Sequence, residues 1–157
     1  MREIGSCLWF DGQAEEAAEY YVSLFPNSEI LNVSRFPEGA PGAAGAVMTV
    51  DFLLNGRPFT ALNGGPEYQF SPAISLMIHC QTQEEVDRLW ARMSAEGEEV
   101  ACGWLTDKFG LSWQIIPDGM GELMGGPDAE GAARAMAAML KMKKLDINEM
   151  RRAYENG

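Results

Sequence analysis

The sequence predicts an α+β fold: two copies of one β-α-β-β-β unit, followed by a helical extension. Three observations predict it. Short apolar runs bounded by turn residues surround single amphipathic helices; the pattern recurs after a shift of 69 positions; and the composition changes after Pro117, with six of the ten methionines lying between 120 and 150. A chain of 157 residues is one domain or two small fused modules. It buries roughly two-thirds of its unfolded surface, so it needs neither metal nor disulfide merely to fold.

The first unit opens on the run Cys7-Leu8-Trp9-Phe10, which stops at the turn pair Asp11-Gly12. Ala14 to Phe25 places Ala17, Ala18, Tyr20, Tyr21 and Leu24 at helical spacing, with Glu15 and Glu16 in the first turn, where the helix dipole favours negative charge. Pro26-Asn27-Ser28 ends that helix. Ile30 to Phe36 alternates as a strand, and Ala46–Leu54 and Pro58–Leu62 are strands joined at Asn55-Gly56, the strongest two-residue hairpin signal.

The second unit repeats these events. Ile74–Cys80 is a strand and Gln83–Ser94 a helix with Val86, Leu89, Trp90 and Met93 on one side. Val100–Ala101, Trp104–Leu105 and Leu111–Ile116 are short extended segments. The 69-residue shift aligns Glu15-Glu16-Ala17 with Glu84-Glu85-Val86, Tyr21 with Trp90 and Leu24 with Met93. The units are expected over 6–66 and 74–117, with 118–157 as a C-terminal extension of two helices, Ala129–Lys143 and Ile147–Tyr154, the second capped by Asp146.

Charge narrows the partners. With 12 basic and 23 acidic side chains the formal charge is −11, which repels nucleic acid and anionic membrane and leaves small molecules or proteins. The body, 1–133, holds 6 basic and 20 acidic residues, whereas 134–157 holds 6 and 3. The basic tail is therefore expected to dock on its own acidic body or on a second subunit. Three cysteines, Cys7, Cys80 and Cys102, form no CxxC pair and no disulfide framework. With no signal-like or membrane-length apolar stretch, the expected location is the reducing cytoplasm.

Familiar catalytic signatures are missing. His79 is the single histidine, so a two-histidine metal site is impossible, and there is no GxSxG, HExxH or P-loop. Asn63-Gly64-Gly65-Pro66 follows a strand but opens no helix, so it reads as a turn rather than a phosphate cradle. His79 and Cys80, adjacent in a strand, point to opposite faces and do not meet. Trp9, Trp104 and Trp113 fall on predicted strands, and a curved sheet lined with such rings is either an ordinary aromatic core or an apolar ligand pocket.

Several strings resemble the PhnB-like family: Cys7-Leu8-Trp9-Phe10-Asp11-Gly12-Gln13-Ala14-Glu15-Glu16-Ala17, Tyr21-Val22-Ser23-Leu24-Phe25-Pro26-Asn27-Ser28, Cys102 to Pro117, and Ala138 to Asp146. That family carries the label 3-demethylubiquinone-9 3-methyltransferase and belongs to the vicinal oxygen chelate superfamily of glyoxalase I, bleomycin-resistance proteins and extradiol dioxygenases. The resemblance implies paired βαβββ modules, an eight-stranded cup and a homodimer. Metal-dependent members carry ligands on the first and fourth strands of each module. Those positions fall, within one residue, on Ser6, Ser75, Asn63 and Gln114, none of them His, Asp or Glu. Neutral hydroxyls and amides are poor divalent-metal ligands but suit hydrogen bonding to a polar molecule, or simply to neighbouring backbone.

The expected function is binding of a small aromatic or polar molecule in the cup, without metal or cofactor, by Ser6, Trp9, Asn63, Ser75, Trp104, Trp113 and Gln114. The alternatives are an enzyme and a purely structural or partner-binding dimer. The enzyme would be a methyltransferase acting on a quinone-like phenol, or a lyase or dioxygenase whose metal is recruited by Asp51, Asp107, Glu67 or His79. The methyltransferase label meets a physical objection, since S-adenosylmethionine is typically held by a doubly wound sheet with a Gly-rich first turn, which this chain does not show.

Overall fold

The computed structural model describes residues 1–156. Two compact units divide the chain, Met1–Gln69 and the segment from Phe70 onward.

In the first unit, β1 (Ser6–Phe10), α1 (Ala14–Leu24), β2 (Glu29–Arg35), β3 (Val47–Leu54) and β4 (Arg57–Asn63) form a four-stranded sheet of order β1-β4-β3-β2 with one helix. β1 runs parallel to β4, and the other pairs are antiparallel. The β3–β4 hairpin turns on Asn55 (φ 49°) and Gly56 (φ 79°), the left-handed pair that a two-residue turn matching strand twist requires. α1 lays Ala14, Ala17, Ala18, Tyr21 and Leu24 against the sheet, where Leu8, Phe10, Val50, Phe52, Phe59 and Ala61 are buried. Tyr21, Phe52 and Phe59 stack in series, at 6.4 and 5.6 Å between ring centres.

The second unit repeats the arrangement with β5 (Ser75–Cys80), α2 (Gln83–Ser94), β6 (Glu98–Glu99), β7 (Trp104–Thr106) and β8 (Ser112–Pro117), in the order β5-β8-β7-β6. α2 covers the sheet with Val86, Leu89, Trp90 and Met93. The second strand of this unit is Glu98–Glu99 rather than the apolar pair Val100–Ala101. Ala101 instead starts a tight turn through Cys102 (φ 58°) and Gly103 (φ 84°), in which the Trp104 N–H donates to the Ala101 carbonyl. Glu99 is held by the indole N–H of Trp90 at 2.6 Å, so two charged residues make the edge strand.

After β8 come α3 (Met120–Met124), α4 (Ala129–Met139) and α5 (Ile147–Glu155). α3 is a third helix that the glycine-rich string around it conceals, and Leu123 ties it to the cluster of Ala135, Leu145, Ile147 and Met150. α4 stops at Met139, short of the expected Lys143, because Lys141 and Met142 bond to carbonyls three residues back, tightening the last turn. Asp146 caps α5, accepting from Asn148 and Glu149.

The extension packs on the second sheet's unit. Gln83, first residue of α2, donates to the Leu145 carbonyl and accepts from the Ile147 N–H at 2.9 and 3.0 Å. Cys102 and Gly103 donate to the Met142 and Lys143 carbonyls. Lys144 meets Asp87 at 2.8 Å. The basic tail thus docks on its own chain through the Lys144–Asp87 ion pair, several backbone bonds and an apolar cluster.

Candidate functional site

Each sheet has one face under its helix and one free of it. In the first sheet the register aligns Cys7, Thr60, Asp51 and Asn32 in one row across all four strands. Because side chains alternate between faces, this row lies opposite to Leu8, Ala61 and Val50, on the helix-free face. The Thr60 hydroxyl donates to Asp51 Oδ1 at 2.7 Å, and the other carboxylate oxygen makes no hydrogen bond within the described chain. Burial and, secondarily, the Asp51 charge raise the Cys7 thiol above its ordinary pKa. Cys7 therefore presents a protonated, weakly donating S–H rather than a nucleophilic thiolate. Beside the row lies a depression of about 390 Å³, bounded by Gly5, Cys7, Leu31, Asp51, Pro58 and Thr60.

The sequence-predicted residues of this unit fall around the row. Ser6 stands opposite Phe59, in the file of Leu8 and Phe10, and reaches the depression from its rim. Asn63 is occupied: its Oδ1 accepts from the Ala14 N–H at 2.9 Å and its Nδ2 donates to the Val47 carbonyl at 3.0 Å. Asn63 thus caps a helix whose own N-cap, Gln13, makes no side-chain bond. Trp9 lies over the glycine turn. Its indole N–H donates to the Gly65 carbonyl at 2.8 Å, Tyr68 meets its ring edge-on at 4.9 Å, and a Cβ on Gly64 would stand 2.4 Å from that ring. The glycine pair exists to admit the indole, which leaves no room for a phosphate.

In the second sheet the corresponding row is Met77, Gln114 and Trp104. Gln114 Nε2 donates to Ser75 Oγ at 2.9 Å, while Gln114 Oε1 and the Trp104 indole N–H, on adjoining strands, have no partner within the described chain. Ser75, Gln114 and Trp104 therefore share the helix-free face. Trp113 is on the other face, 3% exposed, donating to Asp107 Oδ2 at 2.8 Å. Asp107, itself buried, also accepts from the Phe109 and Leu111 N–H groups and so shapes the turn before β8. His79 is exposed and Cys80 buried, with burial pushing the Cys80 thiol up to about 11. That thiol is inert.

Sequence reasoning passed over Cys7 and Thr60 and named Asp51 only as a metal ligand. The signal that finds them is loop length. The β1–α1 connection has three residues and the β5–α2 connection two, so the 69-residue shift that aligns the helices becomes 70 for the first strands. Leu8 and Phe10 then match Ile78 and Cys80, and Cys7 matches Met77.

Neither row fits a divalent metal. One offers a carboxylate, a hydroxyl and a protonated thiol, the other a thioether, an amide and an indole. Among the described residues no three His, Cys, Asp or Glu side chains converge.

A family model described as 3-demethylubiquinone-9 3-methyltransferase matches residues 2–116. A PhnB protein from Bacillus cereus is 37% identical, with a TM-score of 0.68 over 74% of this chain and 99% of its own. Protein PA1353 from Pseudomonas aeruginosa is similar at 18% identity, with a TM-score of 0.61 over 75% and 100% of the two chains. The fosfomycin resistance protein FosX from Listeria monocytogenes, complexed with Mn(II) and sulfate, is similar at 14% identity, with a TM-score of 0.52 over 80% and 97%. The last two likenesses show the fold alone. No curated protein matches the chain.

Proposed function

We propose a function for a chain that belongs to the family described as 3-demethylubiquinone-9 3-methyltransferase, with the glyoxalase/bleomycin resistance/dioxygenase fold: it binds a small molecule on helix-free sheet faces, without a divalent metal centre. The observation that carries this reading is the row Cys7–Thr60–Asp51 beside the depression of about 390 Å³. That volume is within the usual range of small-ligand sites. A free carboxylate oxygen and a thiol proton next to Leu31 and Pro58 suit a ligand with a hydrogen-bond donor, an acceptor and an apolar body. On the second sheet, Gln114 Oε1 and the Trp104 N–H offer an acceptor and a donor beside an aromatic plane.

FosX is described with Mn(II), but the residue types of this chain on the first and fourth strands argue against that chemistry here. The family label suggests methyl transfer, and the residues give it little support: the glycine turn is filled by Trp9 and opens no helix. A charge of −11 disfavours nucleic acid and anionic lipid as partners, and three free thiols suit the reducing cytoplasm.

The test is a thermal-shift screen of small aromatic and polar compounds against the wild type, Asp51→Asn and Thr60→Val, with elemental analysis of the purified protein. The expected outcome is at least one stabilising compound whose effect falls in both variants, and metal well below one equivalent. Stoichiometric zinc, manganese, nickel or iron, or calorimetric binding of S-adenosylmethionine, would sink the reading.

A further inference from the structure

The row Cys7–Thr60–Asp51 carries one formal charge, and no basic side chain answers it. Asp51 lies on β3, an interior strand of the first sheet, and is the single charged residue among those bounding the depression. It forms no ion pair among the described residues. Two arginines of the same sheet are engaged elsewhere: the Arg57 guanidinium lies over the Phe59 ring, 5.8 Å from its centre, and Arg35 Nη1 donates to the Gly45 carbonyl. Asp51 is partly buried, and a carboxylate drawn out of water gains more from a cation than an exposed one does.

The hydrogen-bonding capacity left in the row is mostly that of acceptors. The Thr60 hydroxyl donates its proton to Asp51 Oδ1 at 2.7 Å, so Thr60 Oγ1 keeps its lone pairs and Asp51 Oδ2 stays open. Among these three side chains the one hydrogen left to donate is the weak Cys7 S–H. That thiol is raised first by burial and then by the Asp51 charge, which shows that a second negative charge is opposed there. A guest must therefore bring donors and a positive charge. An ammonium group has three N–H donors and no acceptor, and its bond to a carboxylate is roughly twice as strong as a neutral hydrogen bond. Leu31, 54% exposed, and Pro58 supply an apolar wall for the rest of the molecule. The surrounding charge works in the same direction: residues 1–133 hold 20 acidic against 6 basic side chains, a field that draws cations in and turns anions away.

We infer that the depression on the first sheet takes an organic ammonium ion: a primary amine, protonated at neutral pH, whose nitrogen meets Asp51 and Thr60 and whose apolar body lies against Leu31 and Pro58. The inference rests on reading this depression as a ligand site, and it adds the sign of the ligand's charge and the atoms that meet it. A carboxylate or phenolate of the same size is turned away by Asp51. The row Met77–Gln114–Trp104, which is neutral, makes no such choice.

The experiment is a heteronuclear NMR titration of the full chain, near neutral pH and at fixed ionic strength, with three compounds of one skeleton: phenethylamine, phenethyl alcohol and phenylacetate. The amine is expected to move the amide signals of Cys7, Asp51 and Thr60 and to bind at least about tenfold more tightly than the alcohol, with phenylacetate weaker than both. In Asp51→Asn the amine should fall to the level of the alcohol. Thr60→Val, which keeps the charge and removes one acceptor, should weaken the amine yet preserve its lead, and Glu130→Gln, a surface charge on α4, should leave the lead unchanged. Equal binding of amine and alcohol overturns the inference, as does failure of all three to bind. So does an amine lead that survives Asp51→Asn, since the acidic body alone would then account for it. Preference for the alcohol or for phenylacetate at these same amides would overturn the ammonium and leave the small-molecule site standing, whereas the site itself falls only with the wider compound screen.

Discussion

The two βαβββ units share strand order, parallel and antiparallel pairing and the helix that covers one face, yet they solve the same local problems differently. α2 is capped locally: Thr82 Oγ1 accepts from the Glu85 N–H, and Glu85 reaches back to the Gln81 N–H, a capping-box-like exchange within five residues. α1 is capped from a distance by Asn63, 49 residues on. The helix-free rows differ as well. Cys7–Thr60–Asp51 in the first unit is polar and acidic, and Met77–Gln114–Trp104 in the second is neutral and softer. The architecture therefore determines where the rows stand, and the residues placed in them determine what each can bind.

The largest test of this comparison is Asp107, which has no counterpart in the first unit. Removing it in Asp107→Ala leaves two N–H groups and the Trp113 indole without their acceptor, at about 3 kcal/mol in urea unfolding. A cost below about 1 kcal/mol would mean that water replaces it. The caps come next: Asn63→Ala is expected to cost about 2 kcal/mol, because it orphans bonds to both Ala14 and Val47, against about 1 kcal/mol for Thr82→Ala. Equal costs would erase the distinction between remote and local capping.

A smaller effect separates the two rows chemically. Asp51→Asn should leave stability nearly unchanged and speed alkylation of Cys7 by about twofold near neutral pH, because it removes the charge that contributes to raising the thiol. Peptide mapping after iodoacetamide should show Cys80 unmodified in both forms. No acceleration at Cys7 would disconnect the thiol from the carboxylate.

The smallest expected effect is that of Lys144 on Asp87. Its hydrogen bond leads the causes that lower the Asp87 pKa below 3.8. A carboxyl lowered on folding stabilises above its unfolded pKa, and that contribution is lost as pH falls through the folded value. Both side chains are nearly half exposed, so the contribution is about 0.3 kcal/mol. Lys144→Met should therefore lose stability by that amount at neutral pH, and the loss should shrink as pH falls through the lowered Asp87 value.

Much of the fold was legible because its signals are local. Asn55-Gly56 announces its hairpin, Asp146 its helix, and the spacing of Val86, Leu89, Trp90 and Met93 the buried side of α2. Errors arose where tertiary partners decide. Val100–Ala101 is apolar enough for a strand, but the left-handed Cys102-Gly103 turn claims it, and Glu98–Glu99 pairs instead. α3 has poor intrinsic propensity and exists through Leu123. The site was harder to read, because sheet faces alternate with every residue and a single residue of loop inverts the assignment. That is why Ser6 and Asn63 stand in files beside the helix, whereas Ser75, Gln114 and Trp104 reach the free face. Trp113 looked like its neighbour Trp104 in sequence, and only Asp107, six residues away, distinguishes its buried role.

Gln83 has a consequence for the order in which the molecule can be made. All the bonds described for the first unit close once residue 69 has been synthesised. The second sheet must wait: the N–H groups of Cys102 and Gly103 find their acceptors in residues 142 and 143, and the amide of Gln83 and the carboxylate of Asp87, which bond to each other, complete their partners with Leu145, Ile147 and Lys144. A ribosome-bound chain therefore carries a closed first unit and an unfinished second one until residues 142–147 emerge. Residues 142–147 complete a structure begun more than sixty residues earlier.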